Sequence, residues 1–331
     1  MFPDLDTFQI SDSSARCGQT GQTNFEEDLI MFSELWKKCF LSPYFFTIAL
    51  RRRSNTDIVS EPRFYADYVL PSTCKKWAAD PVLIDHEGKS YLFYEAVLKD
   101  KGRIEVAEVL PDCTLGPASV ILEDDSHYSY PFVFQHGGQW YMIPESSARN
   151  EVSLYIADCF PLKWRKDQVL IRGAYVDTTV FEISGTLFLL TFSVCPGCER
   201  VIPSAYKLSW NNSEVILTPF DWPEYDSLKS RGAGPVFSQG NNLFRPAQKS
   251  KEQEYGDSVL FYRIDDLQSH YIESSVAELT PENVHLSGVY FNGLHTYSCS
   301  DEFEAIDIRC REFDFWKIPR TLIKRFSSLI H

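Results

Sequence analysis

Methionine is almost absent from this chain, at 3 of 331 residues, and positive charge is in deficit, with 32 Lys and Arg against 46 Asp and Glu. The resulting net charge of −14 works against nucleic acid or an anionic bilayer as principal partner, since both demand a positive footprint. Long hydrophobic runs are missing as well. None reaches the roughly 18 residues that a membrane-crossing helix needs, and the longest apolar stretch free of charge, Gly185 to Cys198, is broken by Pro196 and Gly197. The first residues carry Asp4 and Asp6 and no apolar core of signal-peptide length, so the chain as it stands reads as cytoplasmic. Cysteine is present but unpatterned: nine residues, an odd number, are scattered from Cys17 to Cys310, which argues against a disulfide framework. Cys195 and Cys198 have the spacing of half a zinc site, yet no second Cys pair or close His pair completes it, and they read as a tight loop with free thiols.

What the chain has in quantity is aromatic residues: 24 Phe, 17 Tyr and 7 Trp make up 15% of it, a bias toward sheets. Two segments read as helix. Asn24 to Lys38 places Leu29, Phe32, Leu35 and Trp36 on one face behind an acidic first turn. Trp316 to Ile330 opposes Leu322, Ile323, Phe326 and Ile330 to Arg320, Lys324 and Arg325, with Pro319 in its first turn. The expectation is a C-terminal amphipathic helix that docks on the domain, with weak attachment to a membrane or a protein as the lesser alternative.

Between residues 44 and 312 the chain is a succession of short alternating runs punctuated by Gly, Asn, Asp and Pro, the signature of an all-β fold. The runs recur with a period of about 50 residues. Asp80, Tyr130, Asp177 and Gly232 each open a run, and each is followed eight residues later by a turn glycine: Gly88, Gly138, Gly185 and Gly240. A third strand follows in every unit, and Val289 to Arg309 supplies a fifth unit. Sheets that cannot bury both faces alone, repeated around an axis, make a β-propeller. Tyr44 to Arg51 is expected to join the last sheet and close the ring, which removes free edges. The predicted organisation is an N-terminal extension (1–43) with one helix, a five-bladed propeller (44–312) and a C-terminal helix (313–331).

In such a ring the start of each inner strand and the end of the next meet at one mouth. That gathers Asp80, Glu145 and Asp177, three carboxylates in strongly apolar strands, where a lone buried charge costs several kcal/mol unless it is paired or hydrogen-bonded. The same geometry gathers Glu95, His127, Tyr130, Arg231, Arg245, Gln248, His295 and Tyr297. Rings beside carboxylates suit a carbohydrate, whose C–H faces stack while its hydroxyls bond in pairs. Trp77, Tyr94, Tyr130, Trp140, Tyr141 and Tyr297 are the candidate rings, against the alternative that they are blade core. His127 and His295 are ligand-binding candidates or hydrogen-bonded core histidines. No cofactor and no metal are expected. A hard cation held by Asp80, Asp177 and His295 is the lesser alternative, since calcium-loop spacing is lacking.

These strings resemble the five-bladed propeller glycosidases of the arabinanase, xylosidase and invertase superfamily. They resemble more closely the propeller at the N-terminus of plant glucosamine inositolphosphorylceramide transferases, also found beside formyltransferase-like domains in bacteria. The shared strings are WAADP (Trp77 to Pro81), YLFYE (Tyr91 to Glu95), HYSYPFVF (His127 to Phe134), WYMIPES (Trp140 to Ser146), VDTT (Val176 to Thr179), RGAG (Arg231 to Gly234), RPAQ (Arg245 to Gln248), Tyr255-Gly256 and His295-Thr-Tyr297. The resemblance implies a base or nucleophile at Asp80, while Tyr130 stands where those glycosidases place a supporting Asp. The third unit opens with Asp177, and Glu145 comes from the second.

The functional expectation is a glycoside-hydrolase-like protein acting on an oligosaccharide or glycoconjugate at the channel mouth. Asp80 is its base or nucleophile, and Glu145 or Asp177 its proton donor. Trp77, Glu95, His127, Tyr130, Arg231, Arg245, Gln248, His295 and Tyr297 are expected to bind substrate. The alternative is a non-catalytic glycan-binding or scaffold propeller.

Overall fold

The computed structural model describes residues 41–53, 57–194, 201–212, 214–221, 226, 229–251, 254–266 and 271–312. Both predicted helices, Asn24 to Lys38 and Trp316 to Ile330, lie outside the described residues, as do Cys195 and Cys198. Among the described residues no helix is long and apolar enough to cross a membrane.

The first strand is β1 (Phe45–Arg52), followed by two short ones, β2 (Phe64–Tyr65) and β3 (Tyr68–Val69). Blade I then runs β4 (Lys76–His86), β5 (Lys89–Leu98), β6 (Lys101–Val109) and β7 (Ser119–Leu122). Blade II is β8 (Ser129–His136), β9 (Gln139–Glu145), β10 (Glu151–Cys159) and β11 (Lys163–Arg172). Blade III is β12 (Tyr175–Ile183), β13 (Thr186–Val194), β14 (Val201–Asn211) and β15 (Glu214–Phe220). Blade IV is β16 (Phe237–Gln239), β17 (Asn242–Lys251), β18 (Glu254–Asp266) and β19 (Ile272–Leu279). After the short β20 (Val284–His285), which pairs parallel with β2, blade V begins with β21 (Phe291–Cys299) and β22 (Phe303–Cys310). It is completed by β1 and β3, in the order β21-β22-β1-β3. The predicted five-bladed propeller is therefore present, and it is closed as the sequence implies: β1 lies antiparallel to β22 from Phe45 opposite Cys310 to Arg52 opposite Phe303.

The eight-residue interval is the inner strand itself. It spans from a break in strand pairing at Asp80, Tyr130 or Asp177 to the hairpin turn. In blade I that turn is Glu87-Gly88, with φ of 52° and 74°, and in blade III it is Ser184-Gly185, with 51° and 76°. Positive φ at both central residues matches the twist of the flanking strands, and glycine adopts it without steric cost.

The hydrophobic core is divided among five seams between neighbouring blades, because middle strands bury both faces. On β5, Leu92, Tyr94 and Ala96 face blade V while Phe93 faces blade II. On β9, Tyr141 and Ile143 face blade III and Met142 faces blade I. On β13, Leu187 and Leu189 pack toward blade II, and Phe188, Leu190 and Phe192 toward blade IV. The strand period of two thus sends alternate residues to different seams. Aromatics fill the wide parts: Phe160 stacks on Trp140 with centroids 4.2 Å apart and meets Phe93 at 5.8 Å. The phenylalanine excess is spent here.

The blades occupy Tyr44–Arg311. In the other unit the described residues are Leu41–Pro43 and Glu312, where Ser42 N–H donates to the Glu312 carbonyl at 2.8 Å.

Candidate functional site

Three inner strands break their pairing at the same place. Register shifts fall between Ala79 and Val82 on β4, Ser129 and Phe132 on β8, and Val176 and Thr179 on β12. At each break one non-glycine residue is left-handed: Asp80 at φ 53°, Tyr130 at 42° and Asp177 at 51°. At Asp80 and Asp177 the break presents the side chain to one cavity, whereas Tyr130 packs in the seam with blade III, and the strained backbone costs about 1–3 kcal/mol per site.

A cavity of about 180 Å³ lies where Asp80 and Asp177 converge. Asp80, Glu145 and Asp177 all line it, together with Trp77, Glu95, His127, Arg231 and His295. Four further lining residues were not anticipated as site residues: Phe46, Ala79, Ser129 and Tyr255.

On the blade I side, the buried Asp80 carboxylate accepts Tyr130 N–H on Oδ2 at 3.0 Å and the Thr296 hydroxyl on Oδ1 at 3.3 Å. His295 Nε2 stands 3.4 Å from the same Oδ1. The other ring nitrogen, Nδ1, is 2.6 Å from Asp307 Oδ1. Phe46 lies against the imidazole at 4.5 Å and Tyr255 meets it edge-on at 4.9 Å. Burial pushes the Asp80 carboxyl well above the usual carboxylate range, opposed by the His295 charge and reinforced by Glu95, Asp307 and Asp177. For His295, burial works against the imidazolium, but the charge and hydrogen bond of Asp307 outweigh it and the ring sits above its ordinary value. Asp80, His295 and Asp307 bring ligand atoms within 4.8 Å of one another, close enough for a metal ion. They also contact one another, and the two carboxylates accept backbone N–H groups.

Across the cavity, Asp177 forms a bidentate pair with Arg231, through Nε to Oδ2 and through Nη2 to Oδ1 at 3.4 Å. The guanidinium lies over the Tyr255 ring at 4.8 Å. Glu145 Oε2 accepts Asp177 N–H at 3.3 Å. Burial, reinforced by the neighbouring Asp177 charge and opposed by Arg231, pushes the Glu145 carboxyl up to about 7. At the rim, the exposed His127 places Nε2 2.8 Å from Glu95 Oε1, while its Nδ1 accepts Gly102 N–H at 3.0 Å. The hydrogen bond to Glu95 raises the His127 pKa. Gly102 admits no side chain, since a Cβ there would fall 2.5 Å from the Tyr128 carbonyl and 2.6 Å from Glu95 Oε1.

Four expected ligand-binding residues lie elsewhere. Tyr130 is a strut: its hydroxyl accepts Gly234 N–H at 2.8 Å and meets the Thr179 hydroxyl at 3.0 Å, joining blade II to the residues before and within its neighbours. Arg245 is buried in a bidentate pair with Glu273 at 2.8 and 2.6 Å. Gln248 donates to the Gly232 carbonyl at 2.7 Å, and Tyr297 donates to Glu304 Oε1 at 2.8 Å. Of the candidate rings only Trp77 lines the cavity. Tyr94 donates to Glu105 at 2.9 Å, and Trp140 and Tyr141 pack in seams. Asp307 was missed although it lies on a strand, FEAIDIRC, whose eight residues are all buried. A carboxylate in an apolar run was the signal used for Asp80, and it applied equally there.

Residues 53–299 match the family described as glucosamine inositolphosphorylceramide transferase 1, N-terminal. Glucosamine inositolphosphorylceramide transferase 1 of Oryza sativa subsp. indica is 30% identical over 229 residues, 66% of this chain and 30% of that protein. The Arabidopsis thaliana protein of the same name is 30% identical over 214 residues, 60% of this chain and 26% of its own. The chain thus spans less than a third of the curated relatives it matches. Among solved structures, an α-L-arabinofuranosidase from Podospora anserina in complex with cellotriose superposes with a TM-score of 0.52 at 11% identity, covering 71% of this chain and 90% of that one. The GH43_1 enzyme from Xanthomonas citri complexed with xylose gives 0.51 at 9% identity, covering 72% and 87%. At these identities the likeness is one of fold.

Proposed function

As the chain belongs to the glucosamine inositolphosphorylceramide transferase 1 N-terminal family, we propose that it is a carbohydrate-active propeller that cleaves a glycosidic bond of an oligosaccharide or glycoconjugate at its axial cavity. The observation that carries this reading is the convergence of carboxylates from three blades on one cavity with an arginine, two histidines and aromatic walls. In this reading Glu145, whose carboxyl protonates near 7, gives its proton to the leaving oxygen. Asp80, on the far side, attacks the anomeric carbon or takes a proton from the attacking water. Asp177, held by Arg231, supports Glu145 through the charge and backbone contact described above. Trp77 supplies a stacking face, and Glu95, His127 and His295 meet hydroxyls. At about 180 Å³ the cavity is below the roughly 300 Å³ at which drug-sized ligand sites begin, so it suits one terminal sugar rather than a long chain.

A panel of oligosaccharides and glycolipids scored for both binding and sugar release tests this reading. The wild type is expected to release a terminal sugar, and Asp80→Asn and Glu145→Gln each to lose roughly 10²–10⁴-fold in turnover while still binding. Release at an unchanged rate in both variants would refute the assignment. Binding without release in the wild type would favour the second reading, a glycan-binding module. That reading draws support from Tyr130, which occupies in blade II the bulge position held by a carboxylate in blades I and III.

A further inference from the structure

Asp307 lies fully buried on β22, and its two oxygens collect the donors around them. Oδ2 accepts Asp80 N–H at 2.9 Å, the amide of the strained bulge residue itself. Oδ1 accepts Thr296 N–H at 2.9 Å and His295 N–H at 3.2 Å, and it faces His295 Nδ1 at 2.6 Å. With three backbone N–H groups donating to it, Asp307 fits the acceptor-only form of a carboxylate, which assigns the donor role in this contact to His295 Nδ1. The imidazole can then change its protonation only at Nε2, and Nε2 faces Asp80 Oδ1 at 3.4 Å. The remaining groups against the ring are Phe46 from β1, Tyr255 from β18 and the like charge of Arg231. Asp307 therefore touches both ends of one string, holding the Asp80 backbone directly and the Asp80 carboxyl through His295.

We propose that Asp307 is the positioning residue of the cavity: it fixes His295 with Nε2 toward Asp80, so that Asp80 and His295 share one proton between Nε2 and Oδ1. The proton moves only between Nε2 and Oδ1, and the pair keeps the same net charge wherever it resides. The functional meaning rests on Asp80 acting as base or nucleophile, as proposed above, but the juxtaposition does not. A second carboxylate behind the histidine holds the ring in place and sets which nitrogen faces Asp80.

The test needs no substrate. In the full chain labelled with ¹⁵N-histidine, the ring signals of His295 are assigned by their loss in His295→Gln and followed through a pH titration. Both ring nitrogens are expected to carry protons at neutral pH in the wild type. Asp307→Asn keeps an oxygen for the backbone N–H groups but removes the charge, and it should lower the proton affinity of His295 by roughly tenfold or more. A His295 titration unchanged within twofold in Asp307→Asn would overturn the proposal. Should that variant fail to fold, the wild type decides alone: an unprotonated Nδ1 in the wild-type spectrum overturns it, and a protonated Nδ1 with titration confined to Nε2 upholds it. Failure here leaves the glycosidase reading standing, because sugar release is not measured. Absence of sugar release, conversely, would not move the ring titration.

Discussion

Glu145 shows how burying a single carboxyl costs stability as pH rises. Its carboxyl protonates near 7 in the fold against an ordinary 4.5, with burial the first cause. A carboxyl raised in this way leaves the folded state unpenalised below about 4.5. It subtracts stability as pH climbs from there to about 7, and by a constant amount above. Each unit is worth about 1.4 kcal/mol, and because Glu145 is only partly shielded from solvent the penalty is set at about 2 kcal/mol. Glu145→Gln, whose amide oxygen still accepts Asp177 N–H, should therefore raise the melting temperature at pH 8 while leaving it nearly unchanged at pH 4.5. Parallel thermal melts check this, and a variant no more stable at pH 8 than the wild type would remove the argument that this carboxyl is held protonated. The three carboxylates were legible in the sequence because an acid in an apolar strand has few reasons to be there. Arg245, Gln248 and Tyr297 sit in equally apolar strings but do not line the cavity: Arg245 pairs with Glu273, Tyr297 donates to Glu304 and the Gln248 amide nitrogen donates to the Gly232 carbonyl, and a string cannot show where a side chain finds its partner.

At the scale of the element, the inner strand is a device with two fixed points, a bulge that aims one residue at the axis and a turn that returns the chain. Glycine spacing revealed the turn in four units, at Gly88, Gly138, Gly185 and Gly240, because positive-φ turns leave a mark in composition. The bulge itself left none. Asp80, Tyr130 and Asp177 are ordinary L residues in a left-handed conformation, and only the surrounding ladder shows it. Tyr130 separates the two uses of a bulge, since its ring packs in the seam with blade III and its hydroxyl binds Thr179 and the Gly234 N–H. Tyr130→Phe should strand the buried Gly234 N–H and cost about 1–3 kcal/mol. Urea denaturation measures that loss, and sugar binding, where it is detected, should not change. A variant of native stability with weakened binding would instead put the phenol among the ligand contacts.

For the whole molecule, closure decides whether the seams exist at all. β1 and the short β3 come to blade V from the start of the propeller, and seven of the eight residues of β1 are buried. Phe45 and Ala49 pack into the seam with blade IV, while Ile48 and Leu50 pack into the seam with blade I. Losing this strand would open two seams at once and leave β22, with its eight buried residues, as an apolar edge. Asp307 and Glu304 sit on that strand, Glu304 paired with Arg51 of β1, so the cavity's own support depends on the closure. A chain beginning after Arg53 should therefore lose its cooperative unfolding transition and elute as aggregate in size-exclusion chromatography, whereas one beginning at residue 41 should unfold in a single step. If the shorter chain unfolded cooperatively as a monomer, β1 would be an accessory strand, and the geometry of Asp80, His295 and Asp307 would have to be maintained by blades I and V without it.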